Sequence, residues 1–562
     1  MEPWYWLNEN SRGFLARGYL APGQTAEERI RVIAETAEKH LKQEGFADKF
    51  VDYMSRGWIS LASPVWANFG DNKGLPISCF GSYVDDNMGS ILYTNAEVGM
   101  MSKMGGGCSG YFGALRPRGT SIGHDNGNSS GSVHFMQLFE TLVVVVSQGS
   151  VRRGHFSPYL PVEHEDIMEF LDIGTEGNPI QKLTHGVTVG DDWMEAMVAG
   201  DEAKRKIWAR IIQRRGEMGY PYIMFSDTAN NNTVDVYKDK NLRIHASNMC
   251  SEIMLPSKED WSFVCCLSSL NLLHYDAWKD TDLVETMTAF LDAVMEEFII
   301  KLEALRDHTE PEKRRAFDFM QRAYNFAKAN RALGLGVLGY HSLLQSKGLP
   351  FESDEAAALN KEVFNVIKEK ADAATKDLAT RLGEPEVLKG YGRRNTTLLA
   401  IAPTTSSAFI LGQVSQGIEP IWSNCYVKDV AKMKVTIKNP TLQTLLATKG
   451  HDDKATWDSI RDNDGSVQHL QCLTDDEKAV YRTFAEVDQS KVIEQAADRQ
   501  KFIDQAQSLN IMVAPDTPVK DINTLYLQAW KQGVKSLYYQ HSMNAAQQMI
   551  RKKLQENEGK KS

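Results

Sequence analysis

A chain of 562 residues, 42% hydrophobic and 24% charged, has the composition of an ordinary globular protein and excludes disordered, collagen-like and fibrous classes. Its net charge of −10 and pI near 5.8 argue against a nonspecific nucleic-acid coat, since binding a phosphate backbone needs a basic surface, but leave room for a local basic nucleotide pocket. There is no run of about eighteen apolar residues and no signal-peptide layout at Met1 to Asn10, which reads as a cytosolic protein with no membrane segment. Seven scattered cysteines read as free thiols rather than a secreted disulfide framework, and the absence of Cys-x-x-Cys and His-x-x-x-His pairs gives no metal site. Length alone suggests three or four domains, although large α/β barrels hold long chains in one unit.

In chain order, Thr25-Ala26-Glu27-Glu28 is a capping box that opens a helix through Ile30, Ile33, Ala37 and Leu41, closed by Gly45, with a second helix over 47–56. Ser60 to Gly70 reads as a strand and turn in which Pro64 removes a backbone donor and leaves Ser63 to meet an anion or cap the turn. Ile77 to Val84, containing Ser78 and Cys79, alternates as a half-buried strand and ends in a turn or helix start at Asp85-Asp86-Asn87-Met88. Gly105 to Gly110 reads as a glycine-rich loop, followed by Arg116 and Arg118 with guanidinium groups suited to phosphate. Gly119 to Gly131 reads as a surface loop, and Val143 to Val146 as a buried strand leading to Gln148, Arg152 and Arg153 in a Gly-flanked segment. Glu163 to Leu171 is helical, His185 to Gly190 a strand, and Asp191 or Asp192 caps the next helix. Short apolar runs alternating with helices predict an α/β architecture.

The stretch Asn248-Met249-Cys250-Ser251-Glu252 reads Asn-x-Cys-x-Glu. In an extended backbone, alternate side chains share a face about 7 Å apart, so an amide, a thiol and a carboxylate converge on one small ligand; a strand with a buried structural cysteine is the plain alternative. Val264-Cys265-Cys266-Leu267 follows, then helices over 283–306 and 314–332. Gly334-Leu335-Gly336-Val337-Leu338-Gly339 matches Gly-x-Gly-x-x-Gly, but it follows a helix rather than a strand, so tight helix-to-strand packing explains it better than a dinucleotide fold. A helix over 356–382 and a strand over 395–401 lead into the hydroxyl-rich turn Pro403-Thr404-Thr405-Ser406-Ser407, a phosphate cradle or a simple cap. A peripheral polar region spans 448–475, and Leu537-Tyr538-Tyr539-Gln540 carries adjacent tyrosines.

These motifs, in this order, resemble the large, catalytic subunit of class I ribonucleotide reductase from about Trp4 to Gln547. The resemblance implies a ten-stranded α/β barrel of two five-stranded parallel halves over 61–547, with the cysteine on a finger loop inside it. An N-terminal helical region covers 1–60 and a charged flexible tail 548–562. It implies thiyl-radical reduction of ribonucleoside diphosphates to deoxyribonucleotides for DNA synthesis, with Cys250 abstracting the 3′ hydrogen, Glu252 as general base and Asn248 holding the sugar. Cys79 and Cys265 would reduce the 2′ position and end as a disulfide; Cys265 fits the family spacing better than Cys266, though their adjacency leaves both open. Tyr538 and Tyr539 would relay an electron and proton from a small metal-containing subunit, the chain itself binding no catalytic cofactor. Ser63, Ser78, Gly107, Asn248 and Thr404 to Ser407 match substrate-binding positions. Asp86, Asn87, Met88 and Arg116 match the site for a dNTP or ATP effector near a homodimer interface, and Gln148, Arg152 and Arg153 match the specificity loop.

Two departures from the family pattern stand out: the catalytic pattern begins almost at Met1, leaving no room for an ATP-cone, and no cysteine follows Cys472 to serve as a tail dithiol. The second implies either a shortened chain or an external thioredoxin- or glutaredoxin-type reductant. A cobalamin-dependent reductase, disfavoured by Tyr538-Tyr539, and a catalytically silent nucleotide-binding regulator are the alternatives.

Overall fold

The structure, a computed structural model, describes residues 2–77, 79–123, 127–146, 154–430 and 433–544. Short Ile59–Leu61 (β1) lies at one edge, and five parallel strands then follow in chain order: Cys79–Tyr83 (β2), Gly107–Tyr111 (β3), Phe156–Pro161 (β4), Gly186–Val189 (β5) and Tyr222–Phe225 (β6). Helices on the outer side and polar loops within bury both faces, which is why β5 and β6 are buried at every position rather than alternating with solvent.

The second half begins with Phe263–Asn271 (β7), antiparallel to β2 and β1 and parallel to Leu333–Leu338 (β8). Two irregular extended stretches continue the parallel run through the bridges Leu335↔Leu399 and Ile401↔Gln507. The strand Ser536–Leu537 then pairs antiparallel with β6, and Tyr538 N donates to Leu509 O at 2.9 Å. Counting those two stretches, ten strands in two parallel halves of five meet at antiparallel seams, β2 against β7 and β6 against 536–537.

Helices clad this sheet. Leu283–Arg306 is apolar on nearly every face because it packs on Ala26–Leu41, on Asp354–Leu382 and on β7 and β8. Met88–Lys103 and Gln321–Asn330 are tied to the seam by buried Glu97, which receives Arg322 Nε at 2.9 Å, Ser82 Oγ at 2.5 Å and Ser262 Oγ at 2.6 Å. A smaller cluster around Cys425, Leu446, Trp457 and Ile460 gives the region expected to be peripheral a core of its own.

Several local expectations are corrected. Ser63–Asn68 is a helix with Pro64 in its first turn, where a missing N–H costs nothing. Val143–Val145 ends the helix Ser132–Val145 with Val144 and Val145 exposed, not a buried strand. Gly107–Tyr111 is strand, so only Gly105 and Gly106 form the loop, and the helix expected over 163–171 spans only Ile167–Leu171. Lys42, in the left-handed region, closes the first long helix, and Gly45 instead opens the next. Gly190, without a side-chain bond, caps Asp191–Ala199. Asn248 to Glu252 is a turn with Ser251 at φ +66°, not an extended strand. Ser78, Gln148, Arg152, Arg153 and the tail 548–562 lie outside the described residues.

Replacing Glu97 by Ala strands the Arg322 guanidinium in the core, where breaking a buried ion pair costs about 3–5 kcal/mol. Urea unfolding of Glu97→Ala is expected to show that loss as a lower midpoint with an unchanged slope.

Candidate active site

The antiparallel seam places Cys79 directly opposite Cys265. Side chains alternate across a strand, so the neighbouring Cys266 points the other way, where its sulfur donates to Leu291 O of the outer helix at 3.3 Å. That geometry decides between the adjacent thiols: Cys265 faces the barrel interior and Cys266 the helical layer. Gly334 of β8 makes room for the inward sulfur, because a Cβ there would lie 2.9 Å from Cys265 Sγ and 2.5 Å from Leu267 Cδ2. The glycine-rich segment 334–339 is thus strand β8 and its exit turn, its first glycine set against a β7 side chain rather than a helix.

The turn bearing Asn248, Cys250 and Glu252 enters the barrel and is clamped by groups from both halves. Tyr159 of β4 donates to Asn248 O at 2.8 Å, Ser536 to Ser251 O at 2.7 Å, and the single Ser508 hydroxyl hydrogen is shared between Cys250 O at 2.5 Å and Glu252 Oε2 at 3.1 Å. Ile253 N donates to Asn248 Oδ1 at 3.2 Å, which leaves the amide nitrogen to reach Cys79 Sγ at 3.8 Å. Burial lifts the Glu252 carboxyl to about 7, with the Asn248 and Ser508 hydrogen bonds pulling it back. Burial, then the charge of Glu252, pushes the Cys79 thiol well above its ordinary range, and burial does the same to Cys265.

On the other side of the turn, the Tyr538 hydroxyl donates to Cys250 Sγ at 3.6 Å. The Tyr538 and Tyr539 rings lie 4.5 Å apart, with Tyr222 of β6 at 4.9 Å and 5.2 Å from them. Beyond Tyr539 stand His541 at 5.6 Å and then the partly exposed Trp422, 4.6 Å from His541. The chain of rings therefore runs from the half-buried Cys250 towards the surface. Burial drives the Tyr538 phenol strongly upward, so it stays protonated at neutral pH.

Gly107 pairs with Cys79 in the β2–β3 register. The helix Thr405–Ile410 packs on β1, just ahead of Ser63, which brings the hydroxyl-rich turn near that serine. Thr404 Oγ1 accepts from Gly417 N at 2.8 Å, and Thr405 to Ser407 are exposed or half-buried. Past the ends of β2 and β3, Arg116 Nε donates to Asp86 Oδ2 at 2.8 Å and Asn87 caps Met88–Lys103. Sequence reading brought together the three cysteines, Asn248, Glu252 and the tyrosines; it missed Tyr159, Tyr222, Gln505 and Ser508. The signal for the last two was alternation: polar Gln505, Gln507 and Ser508 sit in an otherwise strand-like passage, which only an interior with polar partners accommodates.

A two-half barrel holding a clamped cysteine turn over a facing thiol pair, with a tyrosine stack leading outward, defines a sulfur-based redox enzyme. Comparison with known proteins then fixes the family. The family model described as ribonucleotide reductase, barrel domain, matches residues 77–204, 201–388 and 384–540, and that described as ribonucleotide reductase, all-alpha domain, matches 5–74. The ribonucleoside-diphosphate reductase large subunit of Invertebrate iridescent virus 3 is 32% identical over 574 residues, 88% of each chain. That of Danio rerio is 28% identical over 93% of this chain and 74% of its own. The solved structure of the Actinobacillus ureae class Id ribonucleotide reductase alpha subunit superposes with a TM-score of 0.90 at 55% identity, covering 97% of this chain and 99% of that one. The chain belongs to the ribonucleotide reductase family, as a class I large subunit, an oxidoreductase of deoxyribonucleotide synthesis.

Gly334→Ala forces Cys265 or Leu267 to move, and overpacking of this kind costs about 1–3 kcal/mol. Calorimetry is expected to show a lowered thermal midpoint, while Gly127→Ala, whose Cβ meets nothing within 4 Å, leaves it unchanged.

Proposed function

We propose that this chain reduces ribonucleoside diphosphates at the 2′ position through a thiyl radical on Cys250. The observation that carries the reading is the position of Cys250: Tyr538 reaches its sulfur at 3.6 Å, while the same turn supplies Asn248, whose amide reaches Cys79 opposite Cys265. The Tyr539–Tyr538 stack delivers the oxidising equivalent, and Tyr538 gains the hydrogen's electron and proton from Cys250. The sulfur radical takes the 3′ hydrogen, Glu252 accepts the 3′-hydroxyl proton and Asn248 orients the ribose by hydrogen bonds. Cys79 and Cys265 together supply two electrons and protons as the 2′ hydroxyl leaves as water, and end as a disulfide. Ser63, Gly107 and the hydroxyls and amides of Thr404 to Ser407 hold the diphosphate, with Ser78 completing that set by family pattern.

Asp86, Asn87, Met88 and Arg116 bind the effector, a dNTP or ATP, and Gln148, Arg152 and Arg153 carry its identity to the substrate base, a coupling between two sites. The packed helices Met88–Lys103 and Ser132–Val145 leave Met88, Leu92, Leu138, Val144 and Val145 exposed, an apolar face that supports pairing with a second copy beside the effector site. A small radical-generating subunit docks where the aromatic chain reaches the surface. A thioredoxin- or glutaredoxin-type dithiol in the cytosol reopens the disulfide. Among the described residues no helix is long and apolar enough to cross a membrane.

Conversion of CDP and ADP with a cognate small subunit, a matched effector and dithiothreitol tests the reading. Cys250→Ser and Tyr538→Phe are each expected to lose on the order of a thousandfold or more in turnover while effector binding survives. An active Tyr538→Phe, or turnover supported by cobalamin alone, overturns the class I relay; nucleotide binding with no turnover under any condition leaves a regulator. Because Glu252 acts as its anion and burial raises it to about 7, turnover falls as pH drops below that value and levels off above it. A kcat profile over pH 5.5 to 8.5 checks the sign. Val145→Asp places a charge on the apolar helical face and is expected to shift the chain to a monomer in sedimentation.

A further inference from the structure

Gln505 is fully buried and none of its side-chain polar atoms reaches solvent. Its amide nitrogen shares two hydrogens among three acceptors, Leu333 O at 2.9 Å, Thr397 Oγ1 at 3.1 Å and Cys265 Sγ at 3.4 Å, while its amide oxygen accepts from Met254 N at 3.0 Å. Turning the amide over would set donor against donor at Met254 and acceptor against acceptor at Leu333, so the orientation is locked. The backbone beneath it is equally fixed. The preceding Asp504 carboxylate accepts from Leu398 N and Leu399 N, each at 2.8 Å, and buried Lys535 donates to Asp504 O at 2.7 Å.

The two facing thiols are therefore unlike. Cys79 is partly accessible and its contact with the Asn248 amide is 3.8 Å, whereas Cys265 is 1% exposed and takes the shorter bond from an immobile donor. In thiol–disulfide exchange the reachable sulfur is attacked, and the sulfur whose thiolate is better stabilised leaves.

We propose that Gln505 is a positioning residue that sets the direction of disulfide reduction, presenting Cys79 to the reductant and receiving Cys265 as the leaving thiolate. This rests on the reading above that the pair closes to a disulfide. A thiolate of an external dithiol attacks Cys79 Sγ and forms a mixed disulfide; the Cys79–Cys265 bond breaks, and its electron pair leaves on Cys265, under the Gln505 N–H, before protonation. The second thiol of the reductant, as thiolate, attacks its own mixed-disulfide sulfur and releases Cys79. The dithiol loses two electrons and two protons, and the cysteine pair gains them. Burial makes an unassisted thiolate at Cys265 costly, which is why a fixed donor matters there.

The test uses the full chain carrying Cys250→Ser, which removes the third nearby sulfur, oxidised with diamide to join Cys79 to Cys265. Reduction by excess 2-mercaptoethanol, quenched by alkylation and mapped by mass spectrometry, is expected to place the mercaptoethanol adduct on Cys79. Gln505→Leu is expected to slow reduction by dithiothreitol on the order of tenfold. Gln505→Glu, equal in size, is expected to slow it progressively more as pH rises and the new carboxylate opposes the departing thiolate. An adduct on Cys265, or unchanged rates in both variants, overturns this inference alone. Failure of diamide to join Cys79 to Cys265 overturns the disulfide reading along with it.

Discussion

Everything in the site depends on the antiparallel contact between β2 and β7. Within either half of the barrel the strands run parallel, and at this seam a strand of the first half meets a strand of the second. The register there pairs Cys79 with Cys265 and, by alternation, sends Cys266 to the opposite face. A slip of one residue would exchange the two cysteines and set the wrong sulfur inside. Glu97 and Arg322 fasten the helices flanking this seam, and Phe263 fills the space over Gly81, where a Cβ would come within 2.0 Å of its ring. Register is thus held by packing and by a buried ion pair together.

The interior of this barrel is polar, which is costly unless each group finds a partner. The cysteine turn meets that cost with partners from two strands and the 505–509 stretch: Tyr159, Ser508 and Ser536 donate to its carbonyls, and Gln505 accepts the N–H of Met254. Ser251 adopts a positive φ that a serine seldom holds, and surrounding hydrogen bonds over-determine it. The same network leaves Glu252 buried with few donors, and its carboxyl near neutrality follows from that burial. Rigidity of the turn and proton affinity of its carboxylate have one origin.

Leading outwards, the character changes. Tyr538 touches sulfur and, like Tyr539 and His541, is half-buried; Trp422 is exposed and donates to buried Glu419 at 3.0 Å. Burial raises Glu419 to about 7, and Asn510 links it to the backbone N–H of Tyr539. The rings follow one another at 4.5 to 5.6 Å from Cys250 to the exposed Trp422, a continuous aromatic line from the sulfur to the surface.

The residues proposed to carry the chemistry were legible in sequence because their types are rare in combination: Asn-x-Cys-x-Glu, two further cysteines and paired tyrosines. Strong periodicity also placed the helices Ala26–Leu41, Leu283–Arg306 and Asp354–Leu382 and β2, β5 and β7, although the single helix expected over 314–332 is two, Pro311–Asp318 and Gln321–Asn330. Local pattern failed where tertiary context overrides propensity. The valines at 143–145 read as a buried strand but end a helix whose apolar side is left exposed, and the extended reading of 248–252 ignored the clamps that bend it. Sequence by itself determined which side chains were available and their order along the chain. Only the tertiary structure decided that Cys265 rather than Cys266 faces Cys79, that Gly334 leaves space for its sulfur and that Gln505 holds it, because those facts depend on strand register and on contacts between segments hundreds of residues apart, which no local pattern encodes.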